Sequence, residues 1–288
     1  MPGDIFEKGS TFIWANARLL ERAIYEYRFF QGSPDRVLAI LRTYQNEDGG
    51  FGHALEPDLR APDSQPLFVE FALRTLYECR LRDAEMARRL CDFLSAHADL
   101  ERGIPVIFPS SQGYPRADHW NDPAAIQPSF DRLSSLVGLA AWQGIVHPWL
   151  ARAVEVCLEN MAAAHYDDAH TINNAFCLVE SQSGRREVEA LRQKLARELF
   201  QANFFLIDAP VRQYGLTPLD FAPAPDSYCR KLFTGEQIGA HLDDLADQQD
   251  QDGGWPIRWQ PPQGSARQEW RAIRTLNALT ILRAYGRT

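Results

Sequence analysis

The chain has no closely spaced cysteine pair, no long apolar run and no excess of basic charge, and each absence removes a class of function. Its five cysteines are an odd number scattered along the sequence, which reads as reduced and mostly buried thiols. Lysine and arginine total 30 against 38 aspartates and glutamates, a net charge of −8. That balance disfavours nucleic acid or an anionic membrane surface as a partner. No apolar stretch reaches the roughly 18 residues of a membrane span. The opening Met-Pro-Gly-Asp-Ile-Phe-Glu has neither a basic flank nor an apolar run, so no signal peptide is expected, and the reading is a soluble cytoplasmic protein. Strand signals are missing as well.

What the chain does have is ordinary bulk and one repeated stretch. Of its 288 residues, 45% are apolar and 24% charged, enough for a substantial core. The repeated stretch is Gln45-Asn-Glu-Asp48-Gly49-Gly50-Phe51 and Gln249-Asp-Gln-Asp252-Gly253-Gly254-Trp255. Each copy follows a helix with matching apolar positions, Leu38 and Leu41 or Leu242 and Leu245. Each precedes a second matching helix, Ala72-Leu-Arg-Thr-Leu76 or Ala272-Ile-Arg-Thr-Leu276. Glycine supplies the positive φ at which a helix stops, and the aspartate before it can accept from the turn's amides. A helix–turn–helix unit near both ends suggests a ring of such units.

Helical periodicity covers most of the rest. Helices are expected at about 9–31, 34–45, 66–80, 84–97, 129–144, 148–164, 169–182, 185–202, 234–249 and 265–285. Long loops separate some of them, at 52–66, 99–128 and 208–225. Short turns alternate with these long loops, which places the long ones together at one end of a helical scaffold, where function resides.

The Gln-x-x-Asp-Gly-Gly-aromatic stretch between two helices resembles the repeat of the terpenoid cyclase and protein prenyltransferase superfamily. Asp-Gly-Gly-Phe-Gly-His-Ala-Leu-Glu-Pro-Asp-Leu-Arg near the start resembles more narrowly a group of small bacterial single-toroid proteins. So does Pro-Leu-Asp-Phe-Ala-Pro followed by Asp-Gly-Gly-Trp-Pro-x-x-Trp near the end. The resemblance implies an all-α chain folded as one α/α toroid over residues 1–288, with inner helices around a central cavity. It also implies an isoprenoid-type small molecule as substrate.

Departures from the family narrow the chemistry. The Asp-x-Asp-Asp acid motif of class II cyclases is missing, and the length suffices for one helical domain, whereas those enzymes use two. Prenyltransferase subunits bind zinc through an Asp, a nearby Cys and a distant His; the nearest set here, Asp226, Cys229 and His241, has the wrong spacing. The Cys-His-Gly run of lanthionine-cyclase toroids is absent too. Asp243-Asp244-Leu-Ala-Asp247 spells a magnesium-binding motif of class I terpene synthases, but Leu242 and Leu245 define that helix's buried side. The three aspartates then face water. Neither a metal nor a cofactor is expected.

The candidate catalytic groups are Glu56 and Asp58 in the Glu-Pro-Asp-Leu-Arg loop, with Asp220 next. Two carboxylates two residues apart, pinned by Pro57 and neighboured by His53 and Arg60, can hold one acid protonated and one ionised. The competing reading makes Glu56 and Asp58 helix caps or ion-pair partners of Arg60 and Arg271. His53, Arg60, Trp120, Trp255, Trp259, Glu269 and Arg271 are the candidate ligand contacts. Aromatics in a toroid cavity would stabilise a carbocation. The same aromatics could stack on sugars, with Glu56 and Asp220 as a glycosidic pair. A non-catalytic toroid that binds a small apolar ligand or a partner protein is the third reading.

Overall fold

The computed structural model describes residues 2–288, with side chains from Asp4 onward. Regular structure among these residues is α1 (Pro2–Asn16), α2 (Leu19–Phe30), α3 (Pro34–Arg42), α4 (Pro66–Glu78), α5 (Ala84–His97), α6 (Phe130–Trp142), α7 (Pro148–Ala163), α8 (Ala169–Ser181), α9 (Arg186–Leu199), α10 (Pro218–Phe221), α11 (Gly235–Asp247) and α12 (Ala266–Ala284). Four short 3-10 segments and a few isolated β-bridges complete it, so the protein is all-α. No helix among the described residues is long and apolar enough to cross a membrane.

The helix starts follow from local chemistry. Asp83, Ser129, Asp168 and Thr234 each accept a backbone N–H of the first turn that follows. Proline opens α4, α7 and α10, where its missing N–H costs nothing. One expected helix is two. The stretch at 9–31 breaks at Ala17-Arg18, where Arg18 turns extended (ψ 169°). The Arg18 guanidinium pairs with Glu21 at 2.6 Å in the first turn of α2. The chain doubles back there, so that Ser10 of α1 hydrogen-bonds the Tyr25 hydroxyl of α2. Apolar spacing runs through the break unchanged, which is why periodicity does not reveal it.

The chain forms two compact units whose boundary falls inside α3. A terminal unit joins the residues through Val37 to Phe200–Thr288, and a central unit is Leu38–Leu199. In the terminal unit α1 lies along α12, so closely at Gly9 that a Cβ there would stand 3.0 Å from Leu279. In the central unit α6 and α8 meet at Gly138, where a Cβ would come within 2.4 Å of the Leu178 nitrogen. Four of the five cysteines are buried in these cores and all are free thiols. Burial pushes the Cys91 and Cys157 thiols up to about 12.

Each unit contains one glycine turn, and the two are built alike. Asp48 accepts from Gly50 N at 2.9 Å, and Asp252 from Gly254 N at 3.1 Å. Gly49 (φ +87°) and Gly253 (φ +89°) adopt the conformation only glycine takes readily. Gln45 Nε2 donates to Gly49 O and reaches Met86 O of α5; Gln249 Nε2 donates to Gly253 O and reaches Ile5 O of α1. A Cβ on Gly49 would strike Arg89 O at 2.1 Å, and one on Gly253 would strike Lys8 O at 2.3 Å. Phe93 and Phe12 close over Gly50 and Gly254 in the same way. Every such contact is displaced by the same 81 residues between α5 and α1. The amino-terminal helix thus meets the second turn as α5 meets the first.

Candidate functional site

The Glu56–Asp58 loop is rigid because its backbone is pinned on both sides. His53 (φ 59°) and Ala54 (φ 56°) take two consecutive left-handed conformations, a strain that persists only where the surroundings enforce it. Arg60 N donates to Pro115 O at 2.9 Å and Ala117 N to Asp58 O at 2.8 Å, so the loop is stitched to residues 115–117. Glu56 and Asp58 are both buried. Glu56 Oε2 accepts from the Asp58 N–H at 2.9 Å. Asp58 Oδ2 lies 3.7 Å from His119 Nε2. Burial holds the His119 imidazole below its usual value, with the Asp118 charge opposing. Exposed His53 turns away from this set and meets Asn46 Oδ1 of the glycine turn at 2.9 Å.

A second set of charges stands on three neighbouring helices of the same unit. Glu70 and Arg74 are one turn apart on α4, and Arg74 Nε donates to Glu70 Oε1 at 2.9 Å. Arg132, in the first turn of α6, pairs with the other Glu70 oxygen, and the Ser135 hydroxyl donates to Oε1 at 2.8 Å. Arg74 also donates to Asn174 Oδ1 of α8 at 2.8 Å, and Asn174 Nδ2 donates to Asp131 Oδ1 at 2.9 Å. Burial lowers the Arg132 guanidinium to about 10, and the charge of Glu56 pulls it back up. That coupling ties the loop to the helices. Asp131 moves the other way: burial raises its carboxyl and the Asp168 charge adds to this, while the Asn174 hydrogen bond and Arg74 oppose.

This run of ion pairs and hydrogen bonds around buried Glu70 is what sequence reading missed. Glu70 follows Leu67-Phe68-Val69 and falls where an apolar residue is expected; Asp131 and Arg132 sit just after the Ser129 cap, where charges are common. A charge interrupting the buried side of α4 was the available signal. Its partners on α6 and α8 come from residues 61 to 104 positions away, which periodicity does not connect.

The remaining expected site residues belong to local structure. Asp220 accepts from Thr217 N at 2.7 Å and from its hydroxyl at 2.8 Å, completing the capping box of α10. Trp255 is wholly buried, its indole N–H donating to Leu245 O at 2.8 Å. Arg271 closes the second glycine turn, reaching Asp252 at 2.7 Å and Asp250 at 2.9 Å and lying over the Phe12 ring. Glu269 is buried and accepts from the Ser265 hydroxyl. Trp259 lies edge-on to Trp270 at 5.1 Å and next to Tyr214 at 6.2 Å. Trp120 lies edge-on to His119. Glu56 and Asp220 fall in different units.

One expectation is corrected outright. Asp243 and Asp247 are exposed, but Asp244 is buried, accepting from Val211 N at 3.0 Å and from Gln248 at 2.7 Å. The loop before α10 folds back over α11 there, beside a cavity of about 350 Å³ lined by Pro210, Arg212 and Asp247. His241, also buried, spends its ring Nε2 on Ile207 O at 2.9 Å.

No protein-family model matches the chain, and no curated protein matches it either. Among solved structures, the crystal structure of a protein from Actinoplanes is similar over 99% of this chain and 100% of its own, with a TM-score of 0.60 and 14% sequence identity. At that identity the likeness is one of fold.

Proposed function

We infer that the central unit carries an acid–base site for a hydroxylated small molecule of the sugar class. The observation that carries the reading is the line of contacts from Arg132 through Glu70, Arg74 and Asn174 to Asp131, with the charge of Glu56 acting on Arg132. Buried ion pairs seldom repay their desolvation, so a buried Glu70 held between two guanidinium groups points to a role other than stability. Asp131 is the proton donor, since burial favours its neutral form. Glu56, bonded to the Asp58 amide and acting by its charge on Arg132, takes the base side. Arg74 and Arg132 orient both.

A toroid of the terpenoid-cyclase type remains the architecture this reading assumes. The matching contacts of α5 and α1 with the two glycine turns support it, because the amino-terminal helix then supplies the member that the carboxy-terminal repeat lacks. The isoprenoid reading draws its own support from the terminal unit, where Phe204, Tyr214, Trp259 and Trp270 form an edge-on aromatic series. The charged and amide groups gathered on α4, α6 and α8 favour the sugar.

The test is a binding and turnover panel of disaccharides, aryl glycosides, and geranyl and farnesyl diphosphates. Asp131→Asn and Glu56→Gln should each bind the best glycoside as the wild type does while losing turnover by on the order of a hundredfold. Binding of diphosphates alone would transfer the site to the isoprenoid reading. Sugar binding without turnover in the wild type would make the protein a binding module.

A further inference from the structure

Asn174 of α8 stands between the acid and a guanidinium, and its partners dictate which way its amide points. Arg74 is fixed first: its Nε donates to Glu70 Oε1 at 2.9 Å, and Glu70 is buried and pairs with Arg132 as well. A guanidinium has donors and no acceptor. Asn174, itself buried, therefore turns its amide oxygen to Arg74, at 2.8 Å, and its nitrogen to Asp131 Oδ1, at 2.9 Å. The reversed amide would set N–H against N–H on one side and oxygen against oxygen on the other. Polarity thus runs outward from Glu70, through guanidinium and amide, to the acid.

That polarity decides which oxygen of Asp131 carries the proton. The oxygen that accepts an N–H is the carbonyl oxygen of a protonated acid, because the hydroxyl oxygen is the weaker acceptor. We propose that Asn174 is a positioning residue for Asp131: it reserves Oδ1 as acceptor and leaves the acid's proton on Oδ2, the oxygen that gives it up. Oδ2 has no hydrogen-bond partner among the described residues, and Asp131 is half-buried rather than closed off from solvent. On transfer the Oδ2–H bond breaks, its electron pair stays on Oδ2, and the proton passes to a ligand oxygen. The Asn174 N–H then bonds an ionised acceptor, which is the stronger bond, so the amide stabilises the conjugate base. The other charges near Asp131 oppose one another. Asp168, at the cap of α8 and 3.2 Å from His170 Nδ1, holds the proton on, and Arg74 draws it off. The first-turn amides of α6 also favour the anion. Tyr166 shares the same field, and burial keeps its phenol neutral.

This role rests on the acid–base reading of the same unit, and one set of NMR titrations separates the two. The Asp131 carboxyl carbon and the Asn174 side-chain amide are followed against pH in the full-length wild type, and the carboxyl carbon again in Asn174→Leu and Asn174→Asp. In the wild type the Asn174 amide signal should move with the Asp131 titration, because its partner changes from a neutral to a charged acceptor. Asn174→Leu keeps the volume and removes the donor, so Asp131 should titrate at higher pH than in the wild type. Asn174→Asp keeps the acceptor that Arg74 needs, which protects the fold, and sets a second carboxyl beside the first. Asp131 should titrate higher still there. A merely structural asparagine would lower the melting temperature without moving either curve. An Asp131 midpoint unchanged or lowered in either folded variant would overturn the positioning role and leave the acid–base reading standing. So would an Asn174 amide indifferent to pH while Asp131 titrates. A wild-type midpoint at or below the ordinary 3.8 would remove the acid and its positioning residue together.

Discussion

Alanine at Gly253 should loosen α1 from the terminal unit, and the size of the effect follows from two separable terms. The first is backbone strain: at φ +89° an L-residue costs about 1–2 kcal/mol, partly offset by about 0.4–1 kcal/mol from a stiffer unfolded chain. The second is contact. The new Cβ would stand 2.3 Å from Lys8 O and 2.6 Å from its carbonyl carbon. Backbone cannot swing away as a side chain can, so α1 must withdraw by about an ångström. That movement breaks the 2.9 Å bond from Gln249 to Ile5 O, worth about 0.5–1.5 kcal/mol net, and opens the packing of Phe12 over Gly254. Together these come to about 3 kcal/mol, or a fall of about 6 °C at roughly 2 °C per kcal/mol for a chain of this size. Gly264 isolates the first term, since its φ is +93° but nothing lies within 4 Å of its Cβ position. Gly264→Ala should therefore cost only about 1 kcal/mol. Gly49→Ala, with Arg89 O at 2.1 Å, should behave like Gly253→Ala. Thermal melts of the three variants suffice. If Gly253→Ala and Gly264→Ala melt together, the turn does not clamp α1 and the equivalence of the two turns fails.

Two further expectations concern the buried charges. Because burial raises the Asp131 carboxyl above its ordinary 3.8, its contribution to stability is full below that value and is lost as pH rises through the higher folded-state value. Asp131→Asn should thus be at least as stable as the wild type near pH 7 and show a shallower decline above about pH 4; superimposable stability–pH curves from urea titrations would refute this. Glu70→Gln keeps the volume but leaves Arg132 facing a neutral amide, which should cost about 3 kcal/mol in urea unfolding, with little from Arg74, a third of whose side chain is exposed. A loss below about 1 kcal/mol would mean that the guanidinium finds water or another carboxylate instead.

Much of this protein was legible one residue at a time. Cap residues such as Asp83 and Thr234, prolines in first turns, and apolar spacing at 3.6 residues act within a single turn of helix, so the order and type of the elements could be read directly. The glycine turns were legible for the same reason, since positive φ and an Asx acceptor are properties of adjacent residues. Their partners were not: that Gln249 reaches Ile5 depends on where a helix more than 240 residues away comes to rest. The same limit hid the doubling-back at Arg18, the burial of Asp244 under a folded-back loop, and the line of contacts from Arg132 to Asp131. Charge and hydropathy along the chain locate Glu56 and Asp58 as candidates. Whether a carboxyl is raised by desolvation or paired with a guanidinium depends on atoms within a few ångströms, and here these come from α4, α6, α8 and two loops. Short-range forces set the elements, and packing alone decides which charges share a buried space.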